Sequence, residues 1–157
     1  EKFDRVVSIG MIEHVGPKNY STFMEVANRC LKDDGLFLLH TIGTTDIPCI
    51  PDPWMEKYIF PNFFIPNERH IVESVSGLFI IEDWHNFGAY YDSTLISWYK
   101  NFNMHWNKLK TQYDDRFKRM WNYYLTISAA LFRARRSHLW QIVLSKNGVK
   151  GGYESVR

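Results

Sequence analysis

The sequence predicts an α/β fold in which a sheet is flanked by helices. A short apolar run at residues 3–9 is followed by an amphipathic stretch and by a second apolar run at residues 35–43, the order of a parallel βαβ unit. Glu13 follows the first run and His40 lies near the end of the second, where open α/β sheets place their functional groups. A last apolar run at residues 139–145 is predicted to complete the sheet.

The first two elements are predicted from their hydrophobic patterns. Val6, Val7 and Ile9 form a short apolar run, which predicts a strand buried on both faces, as in parallel sheets. Residues 19–31 are predicted to form a helix, because apolar side chains recur there at intervals of three and four: Phe23, Val26, Ala27 and Cys30.

The middle of the chain, residues 44–67, has no regular pattern. Every proline of the chain except Pro17 lies in this segment, together with several aromatic residues, so we predict a long functional loop. A short helix at residues 67–75 and a strand at residues 78–87 are predicted to follow.

The second half contains a predicted helical insertion, residues 93–136, which precedes the last strand. It holds one helix at residues 93–110 and another that begins at Asp114, with an apolar face formed by Phe117, Met120, Trp121, Tyr124, Leu125, Ser128, Leu131 and Phe132. The cations Arg133, Arg135 and Arg136 end the second helix, where they are either solvated or in contact with anionic phospholipid headgroups. Residues 148–157 are predicted to be a loose tail.

The composition excludes several functional classes. The formal charge of +2 and the mixing of basic with acidic residues argue against a nucleic-acid partner. Cys30 and Cys49 have no metal-ligand spacing, so we expect no metal site, and they favour a reducing cytoplasm. The apolar runs are shorter than the roughly 20 residues that span a bilayer, so contact with lipid is expected to be peripheral.

Five blocks of the sequence resemble consecutive blocks of the bacterial cyclopropane-fatty-acyl-phospholipid synthases. Mycolic acid cyclopropane synthases and related C-methyltransferases share a looser version of the first two. The blocks are FDRVVSIGMIEHVGPKNY (residues 3–20), GLFLLHTIG (35–43), DPWMEKYIFPN (52–62), EDWHNFGAYYDSTLISWY (82–99) and FKRMWNYYL (117–125).

This resemblance implies the C-terminal half of a class I (Rossmann-like) methyltransferase fold, an α/β fold with a mixed sheet and flanking helices. Residues 1–157 would be the C-terminal part of a single catalytic domain, because the chain lacks an initiating methionine and contains no G-x-G-x-x-G cofactor loop. The four strands would be neighbours on one side of the sheet, with an unpaired edge at residues 3–9. Such an edge favours aggregation or a homodimer, and the isolated chain is expected to be inactive.

The activity implied by the resemblance is cyclopropanation of unsaturated acyl chains of membrane phospholipids, with S-adenosylmethionine as methyl donor and bicarbonate as base. The reaction passes through a carbocation, which needs a dry site lined by aromatic faces. The protein would act in the cytoplasm, peripherally associated with the inner membrane. The alternatives are a related C-methyltransferase, of mycolic type or one that methylates the alkene without closing the ring, and a non-catalytic lipid-binding fragment.

The resemblance also assigns candidate catalytic residues. Glu13 would accept a hydrogen bond from the bicarbonate hydroxyl, while His40, the backbone N–H of Ile42 and the hydroxyl of Tyr91 would donate to its oxygens. Without the resemblance, Glu13 would be a charge at a helix start, His40 a histidine with satisfied hydrogen bonds and Tyr91 a packed ring.

Two further groups are expected to contact the cofactor and the substrate. Ser8, Ile9 and Gly10 would pass close to the methionine portion of S-adenosylmethionine, although Gly10 is equally explained as a strand-ending glycine. Aromatic candidates for the wall of the acyl channel are Phe60, Phe63, Phe64, Trp98 and Tyr124.

Overall fold

A computed structural model describes residues 1–155. The elements, in chain order, are β1 (Phe3–Ile9), α1 (Tyr20–Cys30), β2 (Leu31–Thr44), α2 (Pro53–Tyr58), α3 (Glu68–Val75), β3 (Ile80–Asn86), α4 (Gly88–Met104), α5 (Trp106–Leu109), α6 (Asp115–Arg133) and β4 (Ser137–Ser145). The chain divides into two compact units. The first comprises residues 1–86 and the chain from Leu139 onward, and the second comprises Phe87–His138.

The first unit contains a four-stranded mixed sheet, which confirms the predicted fold class. The strand order is β1-β2-β4-β3. Strand β1 is parallel to β2, with Ile9 opposite His40, and β3 is antiparallel to β4. The parallel pair joined by α1 is the predicted βαβ unit, and the carboxyl ends of β1 and β2 meet at one edge of the sheet.

The prediction that β1 is buried on both faces is wrong. Val7 is 57% exposed and Ile9 is 68% exposed. The physical reason is the position of β1 at an edge of the sheet: within the described residues β2 is its only strand neighbour. An apolar run is therefore compatible with an edge strand as well as with a central one.

Helix α1 lies within the predicted residues, but its buried face differs from the predicted one. Tyr20, Met24 and Ala27 are buried, whereas Val26 is exposed. These three side chains belong to the core of the first unit. The other buried members of that core are Ile12, Leu31, Phe37, Leu39, Ile71, Val75, Phe79, Trp140, Ile142 and Leu144.

The segment between β2 and α3 is not entirely irregular, because the six-residue helix α2 forms within it. Asp52 caps α2 by accepting a hydrogen bond from the Met55 N–H at 2.8 Å. The segment ends at a capping box, in which the side chain of Asn67 and that of His70 each accept from the other's backbone N–H. This box begins α3 at Glu68, close to the predicted start.

The second unit is a helical hairpin in which α4 packs against α6. Asp114 caps α6 by accepting from the Phe117 N–H at 2.8 Å, which explains the helix start predicted at this residue. On the predicted apolar face, Leu125 and Phe132 are buried, but Leu131 is exposed. The predicted helix at residues 93–110 begins earlier, at Gly88, and is interrupted after Met104.

The described residues include no helix that is both long enough and apolar enough to cross a membrane. The predicted tail at residues 148–157 has no helix or strand up to residue 155, and its last two residues lie outside the described part of the chain.

Candidate active site

Glu13 lies in a single 3-10 turn, Ile12–His14, that follows the carboxyl end of β1. Its side chain is only 7% exposed, and its Oε1 atom accepts a hydrogen bond from the backbone N–H of Ile42 at 2.8 Å. Ile42 lies on β2, so the carboxylate joins the ends of the two parallel strands. The predicted juxtaposition of these strand ends is confirmed.

The second carboxylate oxygen of Glu13 has a different environment. Oε2 is buried and has no hydrogen-bond partner within the described residues. A buried carboxylate oxygen without a donor is costly, because it has lost its hydration without a replacement. The site therefore has an acceptor that fits a ligand carrying a hydroxyl or an N–H group.

His40 lies on β2 near the same edge. Its backbone carbonyl accepts from the Gly10 N–H at 3.0 Å, which ties the turn after β1 to β2. The side-chain amide nitrogen of Gln141, on β4, lies 3.3 Å from His40 Nδ1. When the Gln141 amide donates in this contact, Nδ1 is the acceptor and the imidazole carries its proton on Nε2.

The charge state of His40 follows from its half-buried position. Burial lowers the pKa of His40 below its usual 6.5, because the imidazolium loses hydration, while the negative charge of Glu13 acts in the opposite direction. The imidazole is therefore neutral at neutral pH, and it can act as a hydrogen-bond donor without carrying a charge.

Tyr20 is a buried neighbour of this site that the sequence analysis did not single out. Its hydroxyl donates to the backbone carbonyl of Phe64 at 3.4 Å. Burial, and secondarily the charges of Glu13 and Cys49, raise the pKa of Tyr20 well above its usual value. The tyrosine is thus a neutral phenol beside the carboxylate.

Aromatic side chains from the segment between α2 and α3 lie next to Glu13. The backbone N–H of Phe64 donates to the backbone carbonyl of Glu13 at 2.7 Å, which fixes this segment to the turn after β1. The ring of Phe60 lies 6.2 Å from that of Phe63 and 6.1 Å from that of His14. Phe60 and Phe63, both predicted to line the channel, are in contact through these rings, whereas Phe64 packs edge-on against His70.

The three residues predicted to contact the cofactor lie at the end of β1. The hydroxyl oxygen of Ser8 is buried and has no hydrogen-bond partner within the described residues, while Ile9 is exposed. Gly10 has a φ of +62°, and no atom lies within 4 Å of the position that a Cβ would take. The need for glycine here is therefore explained by its left-handed backbone.

The remaining predicted site residues lie in the second unit. Tyr91, on α4, packs edge-on against Trp98 and Phe132, with ring centroids 5.8 and 5.1 Å apart. Tyr124, on α6, is also half-buried, and burial raises the pKa of both tyrosines. These contacts are all within the second unit. The roles of Tyr91, Trp98 and Tyr124 at the site therefore remain predictions.

Gln141 was missed by the sequence analysis, although a signal was present. It is a polar residue within the otherwise apolar run Leu139–Leu144, and such a residue on a buried strand needs a partner. Among residues 1–155, no group of three or more His, Cys, Asp or Glu side chains is arranged to hold a metal ion. What the site offers is a hydrogen-bond acceptor on Glu13 and a neutral donor on His40.

Comparison with known proteins relates this chain to enzymes that modify lipids. A family model described as mycolic acid cyclopropane synthetase matches residues 1–142. The cyclopropane-fatty-acyl-phospholipid synthase of Escherichia coli (strain K12) is 52% identical over 157 residues, which is 100% of this chain and 41% of that protein. The sphingolipid C9-methyltransferase A of Emericella nidulans is 31% identical over 151 residues, covering 92% of this chain and 29% of that protein.

Solved structures show the same similarity. The crystal structure of mycolic acid cyclopropane synthase CmaA1 complexed with SAH and CTAB matches with a TM-score of 0.85 and 27% identity, covering 93% of this chain and 56% of that one. The chain thus spans less than two thirds of the length of each of these relatives, and it corresponds to the C-terminal part of the class I methyltransferase fold.

Proposed function

Because the chain belongs to the mycolic acid cyclopropane synthetase family, we propose that the full-length protein cyclopropanates unsaturated acyl chains of membrane phospholipids. The observation that carries this proposal is the buried Glu13 carboxylate, which has one oxygen fixed by the Ile42 N–H and the other without a donor, beside a neutral His40. The 52% identity to the E. coli synthase, across the whole chain, supports the choice of a phospholipid substrate.

Two small molecules take part in the proposed reaction. S-adenosylmethionine, when bound, supplies the methyl group, and bicarbonate, when bound, supplies the base that accepts the proton lost as the ring closes. The residues present fit both groups. Ser8 contributes a buried hydroxyl without a partner on the side predicted for the cofactor, and Glu13 contributes the acceptor for a hydroxyl-bearing anion.

Glu13 orients the base. With Oε1 fixed by Ile42, its Oε2 atom would be the acceptor for the hydroxyl hydrogen of a bound bicarbonate and would set the orientation of that anion. The one N–H of the Ile42 amide donates to Glu13, so its role in this structure is to hold the carboxylate, and the predicted donation to the anion would require that hydrogen bond to open.

His40 would hold an oxygen of the anion through a hydrogen bond from its Nε2–H group. A neutral donor is suited to this role, because an imidazolium at the same place would lower the basicity of the anion. Gln141 acts as a positioning residue, since its amide nitrogen at 3.3 Å from Nδ1 keeps the proton on Nε2.

The aromatic side chains keep water away from the reacting carbons. Phe63 is buried, and Phe60, which is 37% exposed, lies against Phe63 and against His14 in the turn that contains Glu13. Water that reached the carbocation would add to it and prevent ring closure. We assign to Tyr91 the remaining donor to the anion, and to Phe64, Trp98 and Tyr124 further parts of the channel wall.

We propose that the protein acts in the cytoplasm and associates peripherally with the inner membrane surface, where its substrate acyl chains lie. The two cysteines of the described residues are unpaired, which agrees with a reducing compartment. A homodimer remains a prediction.

The direct test incubates the purified full-length protein with methyl-labelled S-adenosylmethionine, bicarbonate and vesicles of unsaturated phospholipid. Cyclopropanation is expected to add one labelled CH₂ and to make the acyl chain resistant to ozonolysis. A methylated alkene has the same mass but is still cleaved by ozone, and it would assign the protein to the C-methyltransferase alternative, which the similarity to a sphingolipid C9-methyltransferase favours. Lipid binding without any labelled product would leave the non-catalytic alternative.

A further inference from the structure

The charges of the chain are divided unequally between its two units. Phe87–His138 holds nine Lys and Arg residues against three Asp, a formal charge of +6, whereas the rest of the chain holds ten basic against fourteen acidic residues. The small total charge therefore conceals a strongly basic helical unit.

Five of these cations are concentrated where α5 is connected to α6. We name this region the basic tip, and its members are Lys108, Lys110, Arg116, Lys118 and Arg119. All but Lys118 are exposed, and Lys118 lies with its Nζ atom 5.2 Å from the centre of the Trp106 ring. This contact brings the first turns of α6 against α5, so the five cations share one end of the hairpin.

The cations of the basic tip are not neutralised locally. Within residues 1–155, none of the five is within ion-pair distance of a carboxylate. The carboxylates nearest in sequence are those of Asp114 and Asp115, and that of Asp114 caps α6. Arg133, near the other end of α6, differs because it forms a bidentate ion pair with Asp92. Its Nε atom lies 2.9 Å from Oδ2 and its Nη2 atom lies 3.0 Å from Oδ1.

Apolar and amphipathic side chains accompany the charges at this end of the hairpin. Met104 is 71% exposed and Tyr113 is 42% exposed. The Tyr113 ring stacks on Phe117 at 4.3 Å, and Phe117 stacks on Trp121 at 5.9 Å, so Tyr113 is held in place by a column of rings. Tyrosine with lysine and arginine is a combination that suits the interface between headgroups and water.

We propose that the basic tip is the surface by which this protein docks on an anionic phospholipid bilayer. This inference rests on the proposed function, because a phospholipid substrate requires the enzyme to remain at the bilayer while it works. The negative potential of an anionic membrane attracts each cation near its surface. Each such lysine or arginine raises the affinity for the membrane by about fivefold. We therefore assign the headgroup site to this end of α6. At the opposite end Arg133 is engaged by Asp92, while headgroup contact by the exposed Arg135 and Arg136 stays a prediction.

The test uses the full-length protein and sedimentation with vesicles of phosphatidylcholine, alone or mixed with phosphatidylglycerol. The triple variant Lys108→Gln, Lys110→Gln, Arg116→Gln is expected to bind the anionic vesicles about a hundredfold more weakly than the parent. The matched control, Lys18→Gln, Arg29→Gln, Lys150→Gln, removes the same charge from exposed positions of the first unit and is expected to bind like the parent.

Several outcomes would overturn the inference. Unchanged binding of the tip variant to anionic vesicles would do so, and an equal loss in the control would show that total charge, not the tip, decides binding. Loss of binding to a short DNA duplex, with vesicle binding intact, would assign the tip to nucleic acid.

The same proteins separate this inference from the proposed function. In neutral detergent micelles that contain unsaturated phospholipid, the tip variant is expected to turn over at the rate of the parent. Absence of turnover by the parent in any lipid would refute the proposed function. The vesicle sedimentation would still test whether the basic tip binds an anionic bilayer.

Discussion

At the residue scale, the proposed chemistry depends on how a single imidazole is held. His40 contacts Gln141 through Nδ1 at 3.3 Å, and it lies close enough to Glu13 to be influenced by its charge. The side chain of Gln141 does not contact the proposed anion in this scheme. Its effect is exerted through the tautomer of His40.

The variants Gln141→Leu and Gln141→Glu test this role. Leucine removes the donor at similar volume, and a glutamate carboxylate would accept from Nδ1–H and move the proton away from Nε2. We expect kcat to fall about tenfold in Gln141→Leu and further in Gln141→Glu, by analogy with groups that orient metal-bound histidines, with little change in KM for S-adenosylmethionine.

Nitrogen NMR of the His40 ring supplies a measurement that a purely structural role would not affect. The parent is expected to show the Nε2–H tautomer, and Gln141→Glu the Nδ1–H tautomer. An unchanged tautomer in Gln141→Glu, whatever the rate, would refute the positioning role.

The pKa of His40 gives a second prediction at this scale. Burial places the pKa below 6.5, and Glu13 partly offsets this effect, so Glu13→Gln should lower the pKa of His40 further. As the pH falls below 6.5, His40 becomes protonated in the unfolded chain before it does in the folded one. The free energy of unfolding should therefore decrease below pH 6.5. A proton NMR titration measures the pKa directly, with the exposed Glu25→Gln as control. A pKa that rises in Glu13→Gln would show that the two groups do not interact as described.

Only part of the site follows from the sequence. Glu13 and His40 were placed at the same edge because parallel strands align their carboxyl ends, and the hydrogen bond from Ile42 to Glu13 agrees with this. The contact with Gln141 joins positions 101 residues apart. It depends on β4 lying next to β2, which the pattern of a single strand does not reveal.

At the element scale, the indole ring of Trp140 on β4 lies against Gly43 of the neighbouring strand β2, a contact that the strand patterns do not indicate. A Cβ atom on Gly43 of β2 would overlap the ring of Trp140 on β4. Trp140 is itself 1% exposed and belongs to the core of the first unit. The glycine is therefore required by the close approach of an indole ring.

Gly43→Ala is expected to lower the free energy of unfolding by about 1–3 kcal/mol, since Trp140 must leave its position to admit a methyl group. Urea denaturation of the full-length protein measures this change. Ser21→Ala, at an exposed position of α1, is the control and should have little effect. Equal stability of Gly43→Ala and the parent would mean that the ring of Trp140 can move aside at no cost.

The helices were easier to predict from the sequence than the faces that they bury. The starts of α3 and α6 follow from local signals, because Asn67 and Asp114 accept hydrogen bonds from the first turns. The buried face of α1 includes Tyr20 and Met24, not Val26, and it is set by the core side chains of the first unit against which the helix packs.

At the scale of the whole molecule, the chain combines an acidic unit that carries the sheet with a basic helical unit. The first holds Glu13, His40 and Gln141, and the second holds Tyr91 and the basic tip. The exposure of β1 was not predictable from its own residues, because burial of a strand depends on what lies on either side of it. The central proposal is that the first unit positions a bicarbonate base for ring closure.

The most direct measurement is the initial rate of methylene transfer by the full-length protein as bicarbonate is added back to carbonate-free buffer. The parent and the control Glu25→Gln are expected to show saturable activation by bicarbonate. Glu13→Gln should retain the hydrogen bond to Ile42 but lose the acceptor at Oε2, so its rate should be lower by about 10²-fold or more and respond weakly to bicarbonate. A parent rate independent of bicarbonate, or a Glu13→Gln variant with the activation curve of the parent, would contradict the proposal.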